Sequence, residues 1–182
     1  MSFTCRPATP DDTAALLEVH RAAFSTELEA DLVAALIDGT EPDARESWVT
    51  EVDGVIVGHV LLTAGRPDGV TDLPVMLLCP LAVAPAHQNI GVGTTLTRAS
   101  LDAAQRAGAV GVLVFGDPGY YSRLGFESLL PGGPQPPFEV GAEHRSAWQT
   151  LMLTDDTSAR DTLATTPIEW APPLMVPALW EP

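Results

Sequence analysis

Hydrophobic and polar positions along this chain change period several times, and each change marks an element. Phe3 to Ala8 alternates apolar and polar side chains and reads as a short opening strand. Thr9-Pro10-Asp11-Asp12 then predicts a helix start. Thr9 caps, Pro10 takes the first helical position, and Asp12 fills the acidic third position of a capping-box variant. Leu16, Val19, His20 and Ala23 follow at spacings of three and four, which gives this helix one apolar face. A second helix is predicted over Leu28 to Ile37, with Leu32, Ala35 and Leu36 inward and Gly39 ending it.

The period then falls to two. Trp48 to Val52 and Val55 to Thr63 are β-rich runs separated by Asp53-Gly54, a hairpin signal. After a loop from Gly65 to Pro74, Val75 to Val83 is a nearly unbroken apolar run, as expected of a central strand. Helical spacing returns from Gly91 to about Ala107, where Val92, Leu96, Ala99, Ala103 and Ala107 form a stripe that Gly108 closes. Val110 to Phe115 is the next buried strand, so strand, helix and strand form a parallel crossover unit. A short helix from Pro118, a strand from Phe126 to Leu130, a Pro/Gly-rich loop from Pro131 to Pro137 and a strand from Trp148 to Leu153 complete the pattern. Residues 167 to 182 read as an irregular tail that packs Trp170 and Trp180. The expected organisation is one domain over residues 1–154 and a tail over 155–182.

Composition narrows the function classes. The chain has 182 residues, with 24 acids against nine basic side chains, all arginine, for a formal charge of −15. Nucleic acids and anionic membranes bind clustered cations, so neither is an expected partner. A cationic substrate would be drawn by this field, although an acidic surface also serves solubility alone. The longest apolar run, Val75 to Ala86, is broken by Pro80 and is shorter than the ~18 residues of a membrane span. No export signal opens the chain, so a cytoplasmic location is expected. Cys5 and Cys79 have no metal or redox spacing, and no metal site is expected.

The segment that carries chemistry runs from Leu81 through Val83-Ala84-Pro85 to Gln88-Asn89-Ile90-Gly91-Val92-Gly93, between a buried strand and an amphipathic helix. Backbone N–H groups at such a helix start meet the positive end of the helix dipole, and glycines let an anion approach them. A pyrophosphate fits there without lysine, and this chain has none. The same absence excludes a Walker loop, and the third glycine of a dinucleotide fingerprint is missing after Gly93. Two glycines at a helix start also suit a tight turn with no ligand.

Val83-x-Pro85 followed by Gln88-x-x-Gly91-x-Gly93 closely resembles the acetyl-CoA motif of the GNAT superfamily of N-acetyltransferases. The order of elements before and after it resembles that family over most of the chain. A second motif, Gly116-Asp117-Pro118-Gly119-Tyr120-Tyr121-Ser122-Arg123-Leu124-Gly125-Phe126, resembles one subgroup of it. Many members carry an asparagine seven residues before the tyrosine, where this chain has Val114.

The resemblance implies a mixed α/β fold, with a central, mostly antiparallel sheet splayed around one parallel pair and helices on both faces. It implies acetyl-CoA as co-substrate, held by Leu81, Ala82, Val83, Gln88, Asn89, Ile90, Gly91, Val92, Gly93 and Thr94. The acetyl group would pass to a primary amine of a small molecule or peptide by direct attack. Tyr121 would protonate the leaving thiolate, and a backbone N–H near Leu81 to Val83 would hold the oxyanion. His59 and Glu27 are the candidate bases, since the strand Val75 to Val83 has no acid or histidine, only Cys79. Topology places the acceptor pocket at the two N-terminal helices and the loop Pro131 to Gly141. Phe138, Glu139 and Trp148 are its candidate lining, with Glu139 a partner for a cationic amine. The family's habits allow a homodimer. A non-catalytic acyl-CoA-binding or regulatory module is the alternative, and a domain with no ligand is a third reading.

Overall fold

The computed structural model describes residues 3–39, 45–128 and 133–180. Eight strands are formed: β1 (Thr4–Pro7), β2 (Arg45–Val52), β3 (Val55–Pro67), β4 (Val75–Val83), β5 (Gly111–Phe115), β6 (Glu127–Ser128), β7 (Trp148–Met152) and β8 (Ile168–Glu169). The helices are α1 (Thr13–Ala23), α2 (Leu28–Asp38), α3 (Val92–Arg106), α4 (Pro118–Tyr121) and α5 (Thr157–Thr165). Strand order is β1-β2-β3-β4-β5-β7-β6, and β8 pairs with β3. β4 and β5 run parallel over three residue pairs, Val75 with Gly111 to Leu77 with Leu113, while β1–β2, β5–β7, β6–β7 and β3–β8 are antiparallel. This is the mixed, largely antiparallel α/β sheet that the sequence resemblance implies.

The chain divides into two compact units, residues 1–62 with 79–103 and residues 63–78 with 104–182. In the first, the capping box forms as predicted: the Thr9 N–H donates to Asp12 Oδ2 at 2.7 Å, and a 3₁₀ turn over Pro10–Asp12 leads into α1. Arg6 of β1 clamps this turn, donating to both Asp12 oxygens at 2.7 and 2.9 Å and to Glu51 of β2. Leu16, Val33 and Val49 form a buried cluster that joins α1, α2 and β2. The inward face of α2 differs from the expected stripe. Leu32 and Leu36 are buried, but Ala35 is exposed and Ala30 and Val33 take its place. Alanine carries little apolar area, so the larger Leu and Val side chains set the face that docks. Gly39 ends α2 at φ −59°, without the left-handed turn expected of a terminal glycine. In the hairpin between β2 and β3, Asp53 (φ 50°) and Gly54 (φ 78°) are both left-handed, as a type I′ turn requires.

In the second unit, β3 runs on through Gly65 to Pro67, four residues past the expected end, because Arg66 and Pro67 pair with Glu169 and Ile168 of β8. That pairing was invisible to local pattern. Trp170 lies so close to Gly65 that a Cβ there would sit 2.4 Å from its ring. Trp180 donates its indole N–H to the Leu174 carbonyl at 2.9 Å and packs against Phe115 and Trp148, at 5.9 and 5.6 Å between ring centres. Residues 167–180, expected to be irregular, thus contain a strand and two 3₁₀ turns, and α5 precedes them. Gly108 (φ 85°) closes α3, with the Ala109 N–H donating to the Ala104 carbonyl in the predicted manner. Ala107 of the expected stripe lies past the end of the helix and is exposed, and Ala104 is buried instead. Of the strand expected over Phe126 to Leu130, Glu127–Ser128 is formed, and residues 129–132 lie outside the described residues.

Candidate functional site

The segment from the end of β4 through the first turns of α3 belongs to the first unit. β4 ends at Val83, and the Ala84 N–H is taken by the Val57 carbonyl of β3 at 2.8 Å. Pro85–His87 makes one 3₁₀ turn, after which the Gln88 side-chain amide donates back to the Val83 carbonyl at 3.0 Å. Asn89 (φ 61°) and Gly91 (φ 96°) are both left-handed, and they turn the chain into α3. The Thr95 N–H closes the first helical bond onto Gly91 O at 3.0 Å. The N–H groups of Val92, Gly93 and Thr94 come before that bond, so the helix offers them no acceptor. They lie at the positive end of a 15-residue helix. Gln88, Asn89, Ile90 and Gly91 are exposed, so an anion can reach these donors.

What seats this helix is Gly58 of β3. A Cβ at that position would sit 2.8 Å from Leu96 and 2.9 Å from Val92, the inward residues of the first turns of α3. Leu81 and Val83 are half-buried on one face of β4, while Ala82 is buried on the other. Cys79 shares the half-exposed face, and its thiol is pushed up to about 12, first by burial and then by the Glu29 carboxylate. A thiol held protonated is a poor nucleophile.

The two candidate bases also belong to the first unit, in different surroundings. His59 is fully buried on β3. Its Nδ1 lies 2.7 Å from His20 Nε2, and its Nε2 lies 2.9 Å from Ser47 Oγ. Burial, then the neighbouring His20 ring, pushes its pKa down to about 3, and burial pushes His20 down to about 4. His20 Nδ1 is buried with no hydrogen-bond partner among the described residues. Glu27 is exposed at the start of α2 and accepts from Arg21 Nε at 2.8 Å. The sequence placed His20 on the inward face of α1 but gave no sign that it would pair with His59. Ser47 carried no signal at all.

The second motif lies in the second unit, and most of its residues shape a turn. Asp117 caps α4 by accepting from the Gly119 N–H at 2.8 Å, and Pro118 takes the first helical position. Gly125 (φ 93°) ends the turn that follows. Tyr121 is buried. Its ring lies against Gly116, where a Cβ would come within 2.5 Å of it, and meets Phe126 edge-on at 5.4 Å between centres. Arg123 lies over the Tyr120 ring at 5.8 Å. Val114, where many family members carry asparagine, is buried in β5.

A cavity of about 360 Å³ opens in the same unit, and Phe138, Glu139 and Trp148, the three residues singled out from the sequence as candidate acceptor lining, all line it. Arg145, which the sequence reading did not single out, lines it too. Among the described residues, no group of three His, Cys, Asp or Glu is placed to hold a metal, and no helix is long and apolar enough to cross a membrane.

Comparison with known proteins gives a consistent result. The model of the acetyltransferase (GNAT) family matches residues 13–126. The Escherichia coli (strain K12) protein named uncharacterized N-acetyltransferase YjhQ is 35% identical over 154 residues, 84% of this chain and 85% of that protein. Among solved structures, a GNAT family acetyltransferase from Brucella melitensis in complex with acetyl-CoA matches with a TM-score of 0.72 and 26% identity. That match covers 94% of this chain and 97% of the other. YhbS from Escherichia coli in complex with CoA matches with a TM-score of 0.77 and 25% identity, covering 94% and 91%.

Proposed function

The chain belongs to the GNAT acetyltransferase family, and from that premise we propose that it transfers the acetyl group of acetyl-CoA to a primary amine by direct attack. The observation that carries the reading is the turn from Gln88 to Thr94. It leaves three consecutive amides without helical acceptors at an exposed start of α3. A pyrophosphate supplies the missing acceptors and neutralises the positive helix end. The two related structures solved with acetyl-CoA and CoA support this assignment.

In the proposed step the amine lone pair attacks the thioester carbonyl carbon, an N–C bond forms and the C–S bond breaks. The amine gives up one proton, and the departing thiolate receives one. A backbone N–H from the segment Leu81 to Val83 is the proposed donor to the oxyanion, and Tyr121 the proposed acid for the thiolate. A phenol O–H can donate to a thiolate as it forms. Of the two candidate bases, Glu27 is the one that solvent reaches. His59 is buried and engaged on both ring nitrogens, so it would act only through its partners.

One observation favours the alternative of a non-catalytic acyl-CoA-binding module. β4 carries no acid or histidine, and its Cys79 stays protonated. Calorimetry with acetyl-CoA tests the cradle. Micromolar binding is expected, and Gly91→Glu should abolish it, because φ 96° strains any side chain there and the carboxylate repels the phosphates. Thiol release across a panel of primary amines then separates the readings. A binder that never releases CoA is the module, and a protein that binds no acetyl-CoA overturns both.

A further inference from the structure

The cavity of the second unit carries two opposite charges that do not neutralise each other. Glu139 and Arg145 both line it, and neither side chain makes an ion pair or hydrogen bond among the described residues, with each other or with any neighbour. Apart from Gln135, the remaining wall is apolar and stiff. Phe138, Val140 and Trp148 contribute hydrophobic surface, and Pro136 fixes the backbone of the loop. The Trp148 indole N–H is already given to the Pro134 carbonyl at 2.7 Å, so the ring offers the cavity only its apolar surface.

We propose that this cavity binds a small zwitterion with an apolar body, of which an α-amino acid with an aromatic or branched side chain is the simplest example. Its carboxylate meets Arg145, its ammonium meets Glu139, and its side chain lies against Phe138 and Trp148. A pure cation leaves Arg145 unmatched, and a pure anion leaves Glu139 unmatched. The volume, about 360 Å³, lies within the range of small-ligand sites. That this ligand is also the acetyl acceptor rests on the acetyltransferase reading above; its binding does not.

Calorimetry with three probes tests the site: L-phenylalanine, phenethylamine, which lacks the carboxylate, and 3-phenylpropionate, which lacks the ammonium. The wild-type protein should prefer L-phenylalanine over each of the others by up to about tenfold, as expected for one charged contact near a cavity rim. Arg145→Gln should erase the preference over phenethylamine alone, and Glu139→Gln the preference over 3-phenylpropionate alone. Equal affinity for all three probes, no binding of any, or variants that keep both preferences would overturn the proposal. An acetyl-CoA titration on the same samples keeps the two readings apart. Acetyl-CoA binding without zwitterion binding sinks this inference and leaves the acetyltransferase reading standing. The reverse result sinks the acetyltransferase reading and leaves the zwitterion site.

Discussion

Acid should destabilise this protein through one pair of side chains, His20 and His59. Both are fully buried, and the chain Ser47–His59–His20 ends on a His20 nitrogen with no partner among the described residues. Burial holds both native pKa values below the ordinary 6.5, at about 4 for His20 and about 3 for His59. The unfolded chain therefore takes up protons first as pH falls. The stability from keeping these rings neutral is complete above pH 6.5 and is lost progressively from there toward pH 4 and pH 3. Each pH unit inside that window costs about 1.4 kcal/mol per ring, so the step from 6.5 to 5 removes about 2 kcal/mol from each and about 4 kcal/mol from the pair. Whole domains hold only about 5–15 kcal/mol, so the effect should be plain in urea midpoints read by far-UV circular dichroism. Acid also relaxes the self-repulsion of a chain with formal charge −15, which works in the opposite direction. The comparison is therefore with His20→Gln, and with the double variant that adds His59→Gln, since glutamine can hydrogen-bond without titrating. The single variant should lose about half of the dependence between pH 6.5 and 5, and the double nearly all of it. Equal slopes in all three proteins would refute the reasoning. So would native NMR signals of His20 and His59 that titrate near pH 6.5.

Three further outcomes follow from contacts at the two motifs. Gly58→Val should shift the start of α3 and weaken acetyl-CoA binding by at least tenfold, at about 1–3 kcal/mol of overpacking, with calorimetry and thermal melting as readouts. Tyr121→Phe should keep acetyl-CoA affinity and lower kcat by about 10² or more if the phenol is the acid, whereas an unchanged kcat would make it a packing residue. Asp117→Ala removes the α4 cap and should cost about 1 kcal/mol, seen as a lower Tm.

Local chemistry made much of the fold legible. The Thr9 capping box, the Asp53-Gly54 turn, the full span of β4 and the end of α3 at Gly108 each depend on residues within a few positions of one another, and each was read correctly. The failures have one physical origin, contacts between residues far apart in sequence. β3 outran its predicted end because its pairing partners, Ile168 and Glu169, lie about a hundred positions away, and Gly65 leaves room for the Trp170 ring beside that pairing.

The site divides along the same line. The cradle was readable because a helix start, a left-handed glycine and an exposed run of amides are all set by adjacent residues, and Gln88 to Thr94 carried each of them. His59 could be singled out on β3, but its role depends on Ser47 and on His20, 39 positions away on α1. Nothing near His59 in sequence says that both of its ring nitrogens are engaged. The cavity shows the same limit from the other side. Phe138 and Glu139 stand together in a Pro/Gly-rich loop and invited attention, while Arg145 lies in a polar run whose composition suits any solvated turn. Only the fold sets a guanidinium and a carboxylate on one wall without letting them meet. Arg145 stands in the 3₁₀ turn over Ala142–Ala147, and its place beside Glu139 in the lining of one cavity is set by the fold rather than by any motif.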